Sequence, residues 1–411
     1  MPPTSIDAPS PSRRTILVLA LACGVAVANV YFPQAISPLI AAGLHTSPGT
    51  ATLVTTAAQF GYAAGIFLLV PLGDRLPHRR LIVTLLVLTG LGLLAAGVAP
   101  VLPVLVVASA VVGATTVVPQ VIIPMAAGLV SAGRRGAVTG TLLSGLIGGI
   151  LLARTFSGTV GAWLGWRGPY LIAAALVLLL TPALALVIPA TAPSSRERYP
   201  ALVAASVRLM RTEPDLRRSC WYQASLFGGF SAAWTSVALV VSGPVYGLGA
   251  QAVGLIALVG AASMFCTPVA GRLADRRGPD RVNLISMLLA IVSAVVLALG
   301  ALGGAVGMIA LVLGMLLIDV AVQCGQVANQ ARIFALHPDE RSRLNTAYMT
   351  CAFLGGSAGS WLGVRAYTRF GWAGVCGLVA LAAVLALGRH LFRGGGAAGR
   401  AVGGERPARA A

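Results

Sequence analysis

Twelve apolar runs, each about long enough to cross a bilayer, constrain this chain of 411 residues more than any other feature. They fall at 15–41, 50–72, 80–99, 102–130, 136–160 and 167–190, then at 219–247, 251–271, 281–301, 305–332, 344–364 and 372–393. A spanning helix takes about 20 predominantly apolar residues, so twelve take roughly 240. With 57% of the residues hydrophobic and 50 Gly besides, the supply matches that demand and leaves almost nothing for a soluble domain. Charged residues make up 10%, where a soluble domain carries about 25%. The net charge of +18 would fit a nucleic-acid binder, but a mean hydropathy of +0.88 excludes a soluble one.

All 29 basic residues are Arg, and their placement is lopsided. With the runs taken as spans, 25 Arg lie on one side, three (Arg167, Arg365, Arg369) on the other, and Arg154 lies within a span. Arg excess marks the cytoplasmic side, so both termini are expected there, with an even number of helices in the cell membrane. Ser12-Arg13-Arg14 before an apolar stretch, and small residues at Ala26–Asn29, imitate a cleaved export signal. The apolar run continues to Ala41, too long for such a signal, which favours a retained first span. The expected organisation is a tail at 1–14, a six-helix bundle at 15–190, a linker at 191–218 with a short surface helix near Ala201–Met210, a second bundle at 219–393 and a tail at 394–411. The tails are expected to lack secondary structure.

The two halves repeat each other. Gly73-Asp74-Arg75 reappears as Ala274-Asp275-Arg276, 201 residues later. Gly165-Trp166 reappears as Gly371-Trp372 (offset 206), and Arg135 as Arg343 (offset 208). Duplicated six-helix halves related by an axis along the membrane normal are a transporter architecture, with the substrate site near mid-membrane between them.

Gly271-Arg272-Leu273-Ala274-Asp275-Arg276-Arg277-Gly278 resembles the loop signature of the major facilitator superfamily. In the first-half copy, running from Val70 through Asp74 and Arg75 to Arg80, Val70 and Pro77 stand where the family has glycines. The resemblance covers nearly the whole chain. It implies an all-α integral membrane fold of twelve transmembrane helices in two pseudo-symmetric six-helix bundles, with spans 1, 4, 7 and 10 lining the pathway. Asn29–Gln34, Gln59–Tyr62 and Asp319–Gln330 also resemble bacterial efflux permeases. Gly140 to Gly149 is similar to the drug:proton antiporter signature, with Ser144-Gly145 replacing its Gly-Pro. Span 4 carries Thr115, Thr116 and Gln120 where such exporters have an Arg.

A charge inside the bilayer costs several kcal/mol unless paired or wetted, so it marks function by default. The acid within the spans is Asp319, in span 10. Helical rotation puts Gln323, Gln326 and Gln330 within about 40° of it, a polar stripe on an apolar helix. This stripe is expected to face a cavity, the alternative being helix–helix hydrogen bonding. Asp319 is a candidate proton carrier or a fixed partner of Arg154. Arg154 does not titrate, and either pairs with Asp319, binds an anionic group or reaches out to the interface. Asn29, Tyr31 and Gln34, the Thr52–Gln59 stripe, Gln120, and Tyr222, Gln223 and Trp234 complete the expected lining, which suits a neutral or weakly cationic small molecule. The resemblance implies that Asp74 and Asp275, with Arg75, Arg276 and the loop glycines Gly271 and Gly278, latch the cytoplasmic gate against the N-termini of spans 11 and 5.

Catalytic patterns are weak. Gly355-Gly356-Ser357-Ala358-Gly359 formally matches a hydrolase elbow, but that motif needs a preceding strand and a His partner, and His45, His78, His337 and His390 lie in loops or near span ends. The six Cys form no metal spacing, and no phosphate-binding loop is present, so neither metal nor cofactor is expected. The expected function is proton-coupled efflux of a small molecule by alternating access, by a monomer using protons as the coupling ion. The alternatives are a metabolite uniporter or importer of the same fold and, in another class, a membrane enzyme or receptor.

Overall fold

The computed structural model describes residues 12–189, 197–337 and 340–392, apart from the side chains of 132, 133 and 135. Residues 1–11 and 394–411, most of the two tails, lie outside the described residues. The described chain is helical, with no strand among those residues.

Among the described residues, eleven helical stretches are long and apolar enough to cross a membrane. The last, Arg341–Leu391, has 51 residues, about 76 Å of helix against a hydrocarbon core of about 30 Å. Gly371 breaks it with a left-handed φ of 64°, dividing it into 341–370 and 372–391 and bringing the number of spans to twelve. In order, spans 1–6 are Arg13–Gly43, Pro48–Asp74, His78–Gly97, Leu102–Gly128, Gly136–Leu164 and Arg167–Val187. Spans 7–10 are Pro214–Ser242, Ala250–Arg277, Pro279–Leu302 and Gly304–Leu336. Spans 11 and 12 are the two parts of the broken stretch. Their lipid-side surface carries exposed apolar side chains such as Leu362 and Leu381, as a bilayer-facing surface requires.

The repeat has a physical basis in backbone geometry. Gly165, between spans 5 and 6, has φ 72°, and its counterpart Gly371 has φ 64°, so each Gly-Trp pair marks a turn only glycine makes without strain. Spans 1 and 5 approach backbone to backbone: a Cβ on Gly149 would sit 2.2 Å from the Gly24 carbonyl oxygen, and one on Gly145 2.3 Å from that of Ala20. Spans 7 and 11 repeat the contact. A Cβ on Gly359 would sit 2.0 Å from the Gly228 oxygen, and one on Gly355 2.3 Å from that of Ala224. Small residues four apart permit this approach. The loop repeat is looser. Gly278 has φ 81°, whereas Pro77 at the matching position has φ −55°, and the first-half loop is entered by a 3-10 turn, Val70–Asp74.

Three spans are broken at mid-depth. Span 1 stops at Ala28 and restarts at Phe32, where Pro33 cannot continue the preceding helix. Span 4 breaks between Thr115 and Val118, ahead of Pro119. Span 8 passes at Gly260 into a 3-10 segment, Ala261–Cys266. Broken helices are tolerated in a bilayer only where protein or water satisfies the freed groups. Here the Thr116 hydroxyl donates to the Ala26 carbonyl (2.5 Å), and the Asn29 amide donates to Thr116 Oγ1 (3.4 Å).

Between spans 6 and 7 an amphipathic helix, Tyr199–Thr212, buries Leu202, Ala205 and Leu209. Its Tyr199 hydroxyl donates to the Leu68 carbonyl (2.6 Å) and its Ser206 hydroxyl to the Arg343 carbonyl (3.4 Å), so it lies under spans 2 and 11 on the Arg-rich face. The two halves meet along spans 2 and 11. They also meet where Ala250–Gly260, the half of span 8 away from that face, packs on span 5, with the Thr155 hydroxyl donating to the Gly254 carbonyl (2.8 Å). The Arg-rich half of span 8, Thr267–Arg277, packs instead on spans 9 and 10 of its own bundle.

Candidate functional site

The breaks in spans 1 and 8 bring polar side chains from both bundles to mid-depth. Phe32–Gly43 carries Gln34, whose Oε1 accepts from Arg154 Nε of span 5 at 2.6 Å. Arg154 is 1% exposed, and its guanidinium carbon lies 4.2 Å from the Trp234 ring centre, 4.9 Å from Tyr31 and 5.4 Å from Phe230. Three rings therefore wall one cation, an arrangement worth about 2 kcal/mol per good contact when desolvated. Trp234 of span 7 also donates from Nε1 to Asp319 Oδ1 of span 10 at 2.8 Å. Asp319 is 4% exposed and packs against the span 8 break, where a Cβ on Gly260 would lie 2.3 Å from its Oδ2.

Arg154 and Asp319 thus share one site but form no direct ion pair among the described residues; the indole of Trp234 stands between them, ring to the cation and N–H to the carboxylate. Two donors remain enclosed without a partner, Arg154 Nη2 and Gln34 Nε2. Burying an unpaired donor costs about 1–3 kcal/mol.

Of the residues expected to line a site, the structure gathers Tyr31, Gln34, Arg154, Trp234 and Asp319. The others lie elsewhere. Gln323, Gln326 and Gln330 run from Asp319 toward the Arg-rich face, half-buried and without hydrogen bonds among the described residues. Asn29 is spent on Thr116 at the paired breaks of spans 1 and 4. Gln59 belongs to the seam between the halves: its Oε1 accepts from the Ser360 hydroxyl (3.0 Å), and its Nε2 donates to Ser231 Oγ (3.4 Å). Gln120 accepts from Asn345 Nδ2 (3.3 Å), again joining the two halves. Phe230 and Gly260 are additional residues of the site. Phe230 stands one helical turn before Trp234, a spacing that signals a shared face, whereas nothing in the sequence pairs Gly260 with Asp319.

In the signature loops, Asp275 and Arg276 are exposed and make no hydrogen bond or ion pair among the described residues, and the side chain of Arg135 lies outside them. Gly271 has open room, its nearest Cβ contact being 3.9 Å away. Asp74 is half-buried and lines a small cavity with His78, Gln120 and Ser342, beside the first turn of span 11; Arg75 is exposed. Several acids on this face carry ion pairs, Glu340 with Arg208 and Arg343 and Glu197 with Arg343 among them, and one, Asp280 on the first turn of span 9, joins two spans. It accepts from Arg218 of span 7 (2.5 Å) and from Arg332 of span 10. Arg218 also donates to the Tyr222 hydroxyl (2.7 Å). Ser357, central in the hydrolase-like pentapeptide, lies inside helical span 11 and donates to the Thr56 carbonyl (3.0 Å), a helix-packing bond. Among the described residues no cluster of His, Cys, Asp or Glu could hold a metal.

Two six-helix bundles with charged and aromatic side chains gathered between them, halfway along the spans, have the architecture of a membrane transporter. The family model described as Major Facilitator Superfamily matches residues 17–360, and the chain belongs to that superfamily. It is 36% identical over 365 residues to "Uncharacterized transporter YgaY" of Escherichia coli O157:H7, covering 89% of this chain and 92% of that protein. It is 35% identical over 366 residues to "Probable transporter SCO4007" of Streptomyces coelicolor, covering 89% and 84%. Among solved structures the fold is similar to a mutant form of the nucleoside transporter NupG, with a TM-score of 0.73, 13% identity, and coverage of 92% of this chain and 98% of that one. A bacterial homolog of the human lysosomal transporter Spinster, in an inward-facing and occupied conformation, gives 0.63 at 14% identity, covering 92% and 93%.

Proposed function

We propose that this protein is a proton-coupled secondary transporter of a small organic solute in the bacterial plasma membrane, with its termini in the cytoplasm. It works by alternating access, with Asp319 carrying the proton and Arg154 as its fixed counter-charge. The observation that carries this reading is the chain Arg154–Trp234–Asp319, which spans the two bundles through one indole. A change of charge on Asp319 is felt across the interface that alternating access must open and close. Asp74, at the end of span 2 and across a small cavity from Ser342 in the first turn of span 11, fits a gate contact, and transport rather than enzyme chemistry suits a site without a nucleophile and base pair.

Efflux is the direction supported by the resemblance of span 5, and of Asn29–Gln34, Gln59–Tyr62 and Asp319–Gln330, to exporters. One observation favours uptake instead, the unpaired donors of Arg154 and Gln34. The test is flux of a compound panel into and out of proteoliposomes under an imposed pH gradient, in wild type and Asp319→Asn. Proton-driven flux that Asp319→Asn abolishes, with counterflow retained, is the expected result. Flux that is indifferent to the gradient, or a variant that still follows it, refutes the carrier role.

A further inference from the structure

We infer that the mid-membrane site takes an organic anion, a carboxylate held by Arg154 and Gln34, and that this anion and a proton on Asp319 occupy the site together. The inference rests on the proposed role of Arg154 and Asp319 as the working centre and adds the chemistry of the cargo.

Three observations carry it. The first is the balance of donors and acceptors. Arg154 spends Nε on Gln34 Oε1 at 2.6 Å. Each then keeps one enclosed nitrogen without a partner, Arg154 Nη2 and Gln34 Nε2. Among the residues touching the guanidinium (Gln34, Tyr31, Phe230 and Trp234), none keeps an enclosed acceptor without a partner. Two unpaired donors on one hydrogen-bonded pair of side chains, one of them charged, suit a ligand with more than one acceptor atom and a negative charge, which a carboxylate supplies.

The second observation is the wall of rings. Tyr31, Phe230 and Trp234 stand around the guanidinium and are themselves buried, so the surroundings of the unpaired donors are aromatic carbon rather than water. An apolar surround of this kind suits the organic body of a carboxylic acid better than a strongly hydrated inorganic anion.

The third is charge. Arg154 and Asp319 together are neutral. A cationic ligand would add a second positive charge beside Arg154, in a site where desolvated charge is expensive. An anionic ligand competes with the Asp319 carboxylate for the same guanidinium, and a proton on Asp319 removes that conflict. The groups facing Asp319 leave no other candidate for the proton. Span 5 presents Arg154, with Tyr31 of span 1 on the guanidinium's other side. Span 7 presents Trp234 and span 8 Gly260, neither of which titrates. Anion and proton therefore load as a neutral pair, and a proton gradient directed into the cell drives the anion inward.

The test uses the purified full chain and three matched probe sets. The acids are benzoate, nicotinate and indole-3-acetate; the amides are benzamide, nicotinamide and indole-3-acetamide; the amines are benzylamine, 3-picolylamine and tryptamine. Affinity is read by thermal shift and by tryptophan fluorescence, and proton exchange by pyranine in weak buffer. At least one acid is expected to bind about tenfold or more tighter than its amide, as a hydrogen bond to a charged group implies, with proton uptake on binding. Arg154→Lys, which keeps the charge and loses the fork, should erase the preference, and Asp319→Asn should keep acid binding without proton uptake. Amides or amines binding as well as acids, no probe binding, or proton release on binding overturns the inference. If amines or amides are the ligands while Asp319→Asn abolishes proton-driven flux, the anion inference fails and the carrier role survives. If acids bind without proton uptake, co-occupancy and the carrier role fail together.

Discussion

Replacing Gly149 with Ala adds one methyl group at the closest approach of spans 1 and 5. The new Cβ would stand 2.2 Å from the Gly24 carbonyl oxygen and 2.5 Å from its Cα. An ordinary carbon–oxygen contact lies at about 3.3 Å or more, so the two backbones must part by about 1 Å. Parting loses the weak Cα–H···O contacts, worth about 0.5–1 kcal/mol each, and overpacking of this kind costs about 1–3 kcal/mol. The expected loss for Gly149→Ala is therefore about 2 kcal/mol. Gly359→Ala, whose Cβ would stand 2.0 Å from the Gly228 oxygen at the equivalent place in the second half, should cost the same. The control is the neighbouring residue. A Cβ on Gly148 meets nothing within 4 Å, so Gly148→Ala should be neutral or stabilising by about 0.5–1 kcal/mol, the helix-interior preference for Ala. Thermal unfolding in detergent, followed by labelling of the fully buried Cys23 thiol beside Gly24, reads all three variants. Equal or raised melting for Gly149→Ala, or loss in Gly148→Ala, would refute the backbone-contact account of how each bundle is held.

Other expectations follow from particular contacts. Gly260→Ala should displace the Asp319 carboxylate, which it would approach to 2.3 Å, and lower transport several-fold while leaving the amount of folded protein unchanged; flux per folded molecule at wild-type level would contradict this. Trp372→Phe removes a buried bond from Nε1 to the Leu297 carbonyl (2.6 Å) and should cost about 1–3 kcal/mol in thermal unfolding. Its repeat partner Trp166 has an indole nitrogen without a partner, so Trp166→Phe should cost less. Asp280→Asn deprives the buried Arg332 of its carboxylate and should lower stability by about 2 kcal/mol, whereas Asp275→Asn, at an exposed residue without a partner, should leave melting unchanged and act, if at all, on transport rate.

Much of the architecture was legible because membrane folding leaves few choices. Spans are counted from apolar length, and the Gly-Trp repeat announced two turns whose left-handed glycines the structure contains. Part of the site was legible for the same reason: Asp319 and Arg154 stood out as charges with no topological excuse. Their relation was not, because an indole joins them, and Trp234 looks like any membrane tryptophan in a sequence. Gln59 and Gln120 were read as lining because amides are rare in apolar helices, yet both join the halves, a distinction that depends on which helix faces which. Asp280 lies just outside the loop signature and has no distinguishing pattern in the sequence, and only the fold shows that Arg218 and Arg332 converge on it. The breaks in spans 1 and 4 sit beside Pro33 and Pro119, and their pairing through Thr116 is a tertiary fact.

The seam between the bundles is fastened at its middle by one amide and two hydroxyls, Gln59 with Ser231 and Ser360. Bonds of this kind are worth about 1 kcal/mol each net, because water makes nearly the same bond. A joint of interlocked leucines would have to be torn open against the hydrophobic effect. The hydrogen bonds at the middle of this seam can be wetted, parted and remade at small cost, so what resists separation of the halves there is the buried ring contact of Tyr62 on Phe353 rather than the polar bonds.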